Sequence, residues 1–504
     1  MDLASQLSLV QRRVAKLTSV LEVAKAMTSH RDLDTLLPLI LDEAARVVEA
    51  ERCTLFILDR EKKELWSRLA QGTQSEIRIP QDSGIAGAVA MSGEIINIKD
   101  AYQDPRFNRN FDTLNHFRTV SILCVPMRDA KGLVTGVLQA LNAREGAFDA
   151  EDEELLLALG GQAATAVENA LLNAEIDRLF EGFVNASVVA IESRDPSTAG
   201  HSGRVAKLTV ELAMATEQAP QARLQGIRFT TTDIREIRYA SLLHDFGKVG
   251  VRESVLVKAN KLHPHQLDAL KIRFELARKD CQFNNHRRRC EQLQATQGGA
   301  SQAFISELFA REEAALQAEL SELDQAFEFI LQCNRPTVLA EGSFEKLHQF
   351  GAFKFSDSHG HLHPLLDEKE IAALSITRGS LSSEERLEIE SHVTHTFRFL
   401  SLIPWTKDLQ RVPQIAYAHH ERLDGKGYPR ALGDNGIPIQ SKMMAIADVY
   451  DALTASDRPY KKAVPHVKAL DILSDEAKKG LLDADLFEVF VEGQIARKAL
   501  GQPR

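Results

Sequence analysis

Several absences narrow the class of this chain before any motif is read. Its five cysteines, Cys53, Cys124, Cys281, Cys290 and Cys333, form no CxxC pair, which removes the usual zinc-ribbon and redox spacings. An odd number in a long chain suits free thiols in a reducing compartment. No apolar run approaches the roughly 18 residues of a membrane span, so no span is expected. Residues 1–30 carry charges inside their apolar pattern and lack a small-residue cleavage site, which predicts an N-terminal helix over 1–16 rather than a signal peptide, and a cytoplasmic protein. An excess of basic residues is also missing: the net charge is -10. That argues against a nucleic-acid surface but leaves room for a local basic pocket that takes one phosphorylated ligand. What remains is length. At 504 residues, 44% apolar and 26% charged, the chain has the composition of an ordinary soluble protein and too many residues for a single core.

From 17 to 170 the pattern runs helix, strand, strand, loop, strand, strand, helix, with alternating stretches such as CTLFILD (53–59) and VSILCVPM (120–127). This is an α+β pattern. The run SGIAGAVAMSGEIINIKDAYQDPRFN (83–108), with GLVTGVLQALNAREGAFDAEDEELL (132–156), resembles a GAF domain. The resemblance implies a sensor for a small molecule, a cyclic nucleotide among the candidates, with Asn142, Phe148, Asp152 and Glu153 at the family's ligand positions. Ala143 stands where the family's nucleotide-binding members have lysine. The alternative is that these four residues tie the last strand to the helix after it.

Residues 171–192 read as a helical connector. Leu172, Ile176, Leu179, Phe183, Ala186 and Ala190 step by four and three, a heptad seam that predicts a parallel homodimer. Gly160 and Gly161 weaken the start of that helix.

Beyond it the histidines and aspartates cluster: His201, His244, Asp245, His392, His419, His420 and Asp448. Imidazole and carboxylate together suit iron, manganese or zinc, and a carboxylate can bridge two ions through its two oxygens. In YASLLHDFGKVGV (239–251) the apolar run and the glycine place His244 and Asp245 at a helix end.

With AYAHHERLDGKGYPRALGDNGIPI (416–438) and IADVYDALTASDRPYKKA (446–463), the segment 193–475 resembles the HD-GYP family of the HD superfamily. The resemblance implies an all-α helical bundle that hydrolyses a cyclic dinucleotide, cyclic di-GMP foremost. It implies a metal-bridged hydroxide as nucleophile, two divalent ions on the seven residues just named, and Asp245 as the bridge and a catalytic group with Lys248. Lys248, Asp451, Arg458 and Lys461 fall at substrate-binding positions, and Gly425, Gly427, Tyr428 and Pro429 form the signature loop. Ser197 replaces a glutamate that some members use for a third ion, so two ions are expected. Three alternatives stay open: a non-catalytic dinucleotide or protein-binding effector, an HD hydrolase of another phosphoester, and cyclic GMP-AMP as substrate.

The family places a ligand histidine where Arg273 stands. KLHPHQLDALKIR (261–273) is echoed by SLSSEERLEIESH (380–392), with Arg273 matched by His392. An insertion at about 274–379 accounts for both copies, with Ser382 to Glu385 restarting a helix. Inside it, 304–331 reads as part of an antiparallel helical hairpin. His359, His361 and His363 in SDSHGHLHP read as loop without a carboxylate at telling spacing, so no second metal site is expected there. Residues 476–504 read as a C-terminal helical tail.

Overall fold

The computed structural model describes residues 18, 25–27, 32–68, 76–195, 199–295, 299, 301–340, 342–455 and 463–501. The expected helix over 1–16 lies outside them. Two compact units divide at Gly182 and Phe183.

The first unit is α+β. Helix α1 (Leu33–Val47) starts at Asp32, whose carboxylate accepts from the Thr35 amide at 3.1 Å, and buries Leu36, Leu37, Ile40, Leu41 and Ala44 at three- and four-residue steps. Six strands follow: β1 (Ala50–Asp59), β2 (Glu64–Ser67), β3 (Ile77–Pro80), β4 (Ile96–Ile98), β5 (Ile122–Arg128) and β6 (Val134–Ala143). They form one antiparallel sheet in the order β3-β2-β1-β6-β5-β4. The period-two alternation of the central strands supplies two cores. Cys53, Leu55, Leu123, Val125 and Leu138 pack with α1 and the helix after β6, while Phe56, Ile122, Cys124 and Val137 pack with α2 (Gly84–Ser92). The short edge strands β3 and β4 are absent from the sequence reading because three or four residues leave no measurable period. A short helix α3 (Asn110–Asn115) precedes β5.

Helix α4 (Ala150–Arg194) begins in this unit. Among the described helices it is the one long and apolar enough, by length and composition, to cross a membrane, and half of its most apolar stretch is buried. Leu155, Leu156, Leu159, Ala163 and Val167 lie in the first unit's core, as expected of a core helix. Gly160 does not interrupt it, and its bare Cα faces Val125 of β5. Leu172, Ile176, Leu179 and Phe183 of the expected seam are all exposed.

The second unit is helical. Helices α5 (His201–Thr216), α6 (Thr231–Leu243) and the short α7 (Glu253–Leu256) precede a long hairpin of α8 (Pro264–Ala295) and α9 (Gln302–Asn334). The expected helix over 304–331 is thus one arm, and the other begins ahead of the expected boundary at 274. Leu270, Phe274 and Ala277 pack with Leu323, Ala326 and Ile330, and Arg288 pairs with Glu312 across the two antiparallel arms. After α10 (Ser343–Ala352) come a β-hairpin of β7 (Lys354–Ser356) and β8 (Leu362–Pro364), and α11 (Glu368–Leu374). Leu347, Phe355, Leu365 and Leu374 share the hairpin's core, so this segment has an interior of its own. Arg273 is consumed there, paired with Glu370.

Helices α12 (Ser383–Glu390), α13 (His392–Leu402), α14 (Val412–Tyr417) and α15 (Ile439–Thr454) complete the site. α12 starts where expected, with a reciprocal capping box between Ser382 and Glu385. The expected tail requires correction. α16 (His466–Lys478) runs across the boundary at 475, and α17 (Ala484–Glu492) and α18 (Ile495–Leu500) pack on α5 through buried Leu486, Phe490 and Ile495.

Candidate metal centre

Five chain segments deliver the seven ligand candidates to one buried spot. His201 opens α5, His244 caps the C-terminus of α6 with Asp245 next to it, His392 opens α13, His419 and His420 follow α14, and Asp448 lies within α15. The expectation of a His-Asp pair at a helix end matches this placement. Donor atoms of His201, His244 and Asp448 lie within 4.8 Å of one another, as do those of His392, His419 and His420. Asp245 stands between the two groups: Oδ2 is 3.5 Å from His244 Nε2 and 3.8 Å from His201 Nε2, whereas Oδ1 is 3.3 Å from His392 Nε2.

The ring nitrogens show what the site is built to hold. In His244, His392 and His419, Nδ1 donates to the carbonyl three residues earlier, of Ser241, Ile389 and Ala416, at 2.7, 2.5 and 2.6 Å. That bond fixes the tautomer, leaving Nε2 as a bare lone pair. All three Nε2 atoms are buried without a hydrogen-bond partner, the nearby Asp245 carboxylate being itself an acceptor. Three such acceptors in one buried pocket, His419 grouped with His244 on one side and with His392 on the other, are costly unless a cation takes them. The residues present therefore fit divalent metal.

Ionisation agrees. Burial pushes His244, His419 and His420 down, His420 to about 3, so the lone pairs stay available. Burial resists ionisation of Asp245, but the Lys248 cation beside it outweighs burial and holds the carboxyl well below its usual range. Asp448 is likewise low, through His201 acting against burial. Burial opposes charge on His201 too, yet its hydrogen bonds to Asp448 and Asp451 push it up to about 9. These carboxylates demand a cation, and in the metal-free protein His201 supplies one.

Lys248 Nζ lies 2.7 Å from Asp245 and 3.8 Å from Asp195. Asp451, grouped with substrate contacts in the sequence reading, is buried, and its oxygens take His201 Nδ1 at 2.8 Å and Arg204 at 2.7 Å. It therefore orients a ligand histidine instead of facing solvent. Arg458, Lys461 and Ser197 lie outside the described residues.

Three supporting residues escaped the sequence reading. Arg204 is one helical turn from His201. Thr396 Oγ1 accepts from the Gly247 amide at 2.8 Å and donates to the His244 carbonyl at 2.9 Å, tying the His-Asp segment to the helix of His392. A side chain at Gly247 would strike the His392 carbonyl. Glu421 accepts from the Arg430 and Leu432 amides, both at 2.8 Å, pinning the signature loop, whose Tyr428 ring lies 4.8 Å from that of His420. Only Arg204 left a signal, the spacing His201-x-x-Arg204.

In the first unit the four candidate ligand residues make contacts within the domain. Asn142 bonds the Val120 amide and Glu51, Phe148 is core, Asp152 accepts from the Asp149 amide, and Glu153 accepts from Asn97. The tying role is the one these contacts fill. A separate cavity of about 890 Å³, open mouth included, is lined by Arg52, Phe56, Phe107, Phe111, Phe117 and Gln139 among others. The Arg52 guanidinium lies 4.0 Å over the Phe117 ring.

Comparison with known proteins agrees with this division. A GAF domain family model matches residues 32–167, and two HD domain models match 198–302 and 369–486. The chain thus carries a GAF domain followed by an HD region. A probable 3',5'-cyclic phosphodiesterase of Caenorhabditis elegans, pde-5, is 33% identical over 159 residues, 29% of this chain and 22% of that protein. The dual 3',5'-cyclic-AMP and -GMP phosphodiesterase 11A of Takifugu rubripes is 37% identical over 150 residues, 27% of this chain and 17% of that protein. The chain thus spans about a fifth of the length of these relatives. Among solved structures, the GAF domain of a phosphoenolpyruvate-protein phosphotransferase from Coxiella burnetii is 21% identical over 32% of this chain and 98% of that one, with a TM-score of 0.30. A GAF domain/HD domain protein from Geobacter sulfurreducens is 15% identical over 30% of this chain and 98% of that one, with a TM-score of 0.25.

Proposed function

We propose that this GAF–HD chain is a two-metal phosphodiesterase of the cytoplasm that opens a cyclic dinucleotide, cyclic di-GMP first, under control of its GAF domain. The observation that carries the reading is Asp245, which turns Oδ2 toward His244 and Oδ1 toward His392, two imidazoles whose Nε2 atoms, like that of His419, have no hydrogen-bond partner. Iron or manganese, with zinc as a further fit, would sit on His201, His244, Asp245 and Asp448 and on Asp245, His392, His419 and His420. When bound, such a pair acidifies a shared water and offsets charge on a phosphodiester.

The chain's own groups do the rest. Lys248, held as a cation by Asp245 against the cost of burial, offers a point charge to a non-bridging phosphate oxygen. Arg204 and Asp451 hold His201 in one orientation. The signature loop backs His420. Arg458 and Lys461 are proposed to take the remaining phosphate. The regulatory ligand is proposed to enter the Arg52 cavity, where a guanidinium over an aromatic ring suits a small anionic or heteroaromatic molecule such as a cyclic nucleotide. The exposed seam from Leu172 to Phe183 supports pairing of two copies.

The names of the two relatives favour a second reading, hydrolysis of a cyclic mononucleotide. Anaerobically purified protein is offered cyclic di-GMP, cyclic GMP-AMP and cyclic GMP in separate reactions, with His244→Ala alongside and metal content determined on both. Cleavage of a dinucleotide by the wild type alone, with about two ions bound, is expected. Cleavage of cyclic GMP only transfers the assignment to the second reading. Failure on all three with a full metal complement replaces catalysis by an effector role.

A further inference from the structure

The histidines of SDSHGHLHP face a carboxylate after all. The segment folds into the β7–β8 hairpin, with Ser356 opposite Leu362 and Phe355 opposite His363. Its turn closes through Gly360 at a φ of 84°, with the Gly360 amide donating to the Asp357 carbonyl. Asp357 then stands beside His361, and His363 lies two residues further along, on the same face of the strand.

The two oxygens of Asp357 do different work. Oδ1 accepts from the amides of His359 and His361 at 2.8 and 2.9 Å, which is what the turn requires. Oδ2 has no part in the turn, yet His363 Nε2 lies 3.0 Å from it and His361 Nδ1 3.4 Å. Donor atoms of one tetrahedral zinc-like ion sit about 3.3 Å apart, given metal–ligand lengths near 2.0–2.1 Å; each histidine meets that spacing to Oδ2, and the two exposed imidazoles close on each other by side-chain rotation. The ring of His363 rests 5.8 Å from that of buried Phe355, so one ligand is anchored to the core of the inserted segment. The ring of His359 is 6.2 Å from that of His361, near enough to join after a side-chain rotation.

We infer that Asp357, His361 and His363 form a separate binding site for a late first-row divalent ion such as zinc, nickel or copper, open to solvent and independent of the HD centre. Imidazole with one carboxylate selects these ions over magnesium or calcium. Exposure leaves coordination positions to water, so the ion exchanges readily, unlike one enclosed by the HD ligands.

The test uses the full chain without a polyhistidine tag, carrying His244→Ala and His419→Ala, titrated with zinc against a chromophoric chelator. One ion per chain is expected at micromolar affinity. It is lost when His361→Ala and His363→Ala are added, and weakened by more than about tenfold by Asp357→Asn, which keeps the turn acceptor. Should the HD double variant not fold, the wild type loaded at its HD centre gives the same count as one additional ion, removed by His361→Ala with His363→Ala. Absence of that ion, or its persistence in the loop variants, overturns the assignment.

Discussion

Thr396→Val keeps the shape of a fully buried side chain and removes only its hydroxyl. The Gly247 amide and the His244 carbonyl then lose their shared partner at 2.8 and 2.9 Å. Each buried backbone group left unpaired costs about 1–3 kcal/mol, so the loss is roughly 2–6 kcal/mol. Thr396→Ser retains both bonds and gives up one methyl, about 1 kcal/mol. The chain's two tryptophans make the effect measurable in the HD region alone. Trp66 lies in β2, while Trp405 follows α13, its indole donating to the Leu400 carbonyl at 2.7 Å. In a Trp66→Phe background, urea unfolding followed by Trp405 fluorescence should show a large fall for valine and a small one for serine. Metal affinity should fall with valine too, because His244 and His392 lose their common anchor. A valine variant within about 0.5 kcal/mol of its parent, inside the range of an ordinary surface change, would refute the clamp.

Two further outcomes follow from the same geometry. In the metal-free protein, buried His244, His419 and His420 stay neutral while the unfolded chain takes up protons near their ordinary 6.5, so stability falls as pH drops below about 6.5. His201, raised to about 9 by Asp448 and Asp451 against its burial, contributes fully below about 6.5 and loses that contribution as pH climbs toward 9. The midpoint of metal-free unfolding should therefore peak near neutrality, and a flat profile between pH 5 and 9 would contradict both assignments. Gly427→Ala should destabilise the HD region by about 2 kcal/mol or more, since the added Cβ overlaps the backbone of Glu421 and Arg422 and displaces the carboxylate that pins the loop. Thermal unfolding checks this, and an unchanged midpoint would count against the pinning.

The cluster of seven candidate ligands was legible because metal binding demands particular side chains, and residue identity survives in a sequence. Even His392 could be found past the inserted residues, from the echo around Arg273. Thr396, Glu421 and Asp195 were not legible, since their roles depend on what tertiary packing brings to them. Asp451 shows the same limit: its identity marked it as functional, but only packing against Arg204 showed that it serves His201. In the GAF domain, Asn142 and Glu153 were legible as candidates, but the local hydrogen bonds they make to Val120, Glu51 and Asn97 appear only in the folded chain. The pairing of Asp357 with His361 was not legible either, since the two come opposite each other only once the hairpin has closed.

The inserted segment enters and leaves through one doorway. Lys258 and His263 both reach Glu385, at 2.7 and 3.1 Å, and Ser380 donates to the Lys258 carbonyl at 3.0 Å. Buried Lys261 donates to the Leu374 carbonyl at 3.0 Å, and Asn334 accepts from the Leu262 amide at 2.7 Å. A detour with its own core and joined ends behaves, for the rest of the chain, as a short link, and even as an open loop each doubling of its length would add only about 0.6 kcal/mol. Asp245 and His392 are distant in sequence yet close in folding terms, for once the detour has folded the search that brings them together is that of a short loop. Sequence length between two ligands is then a poor measure of the entropy needed to unite them.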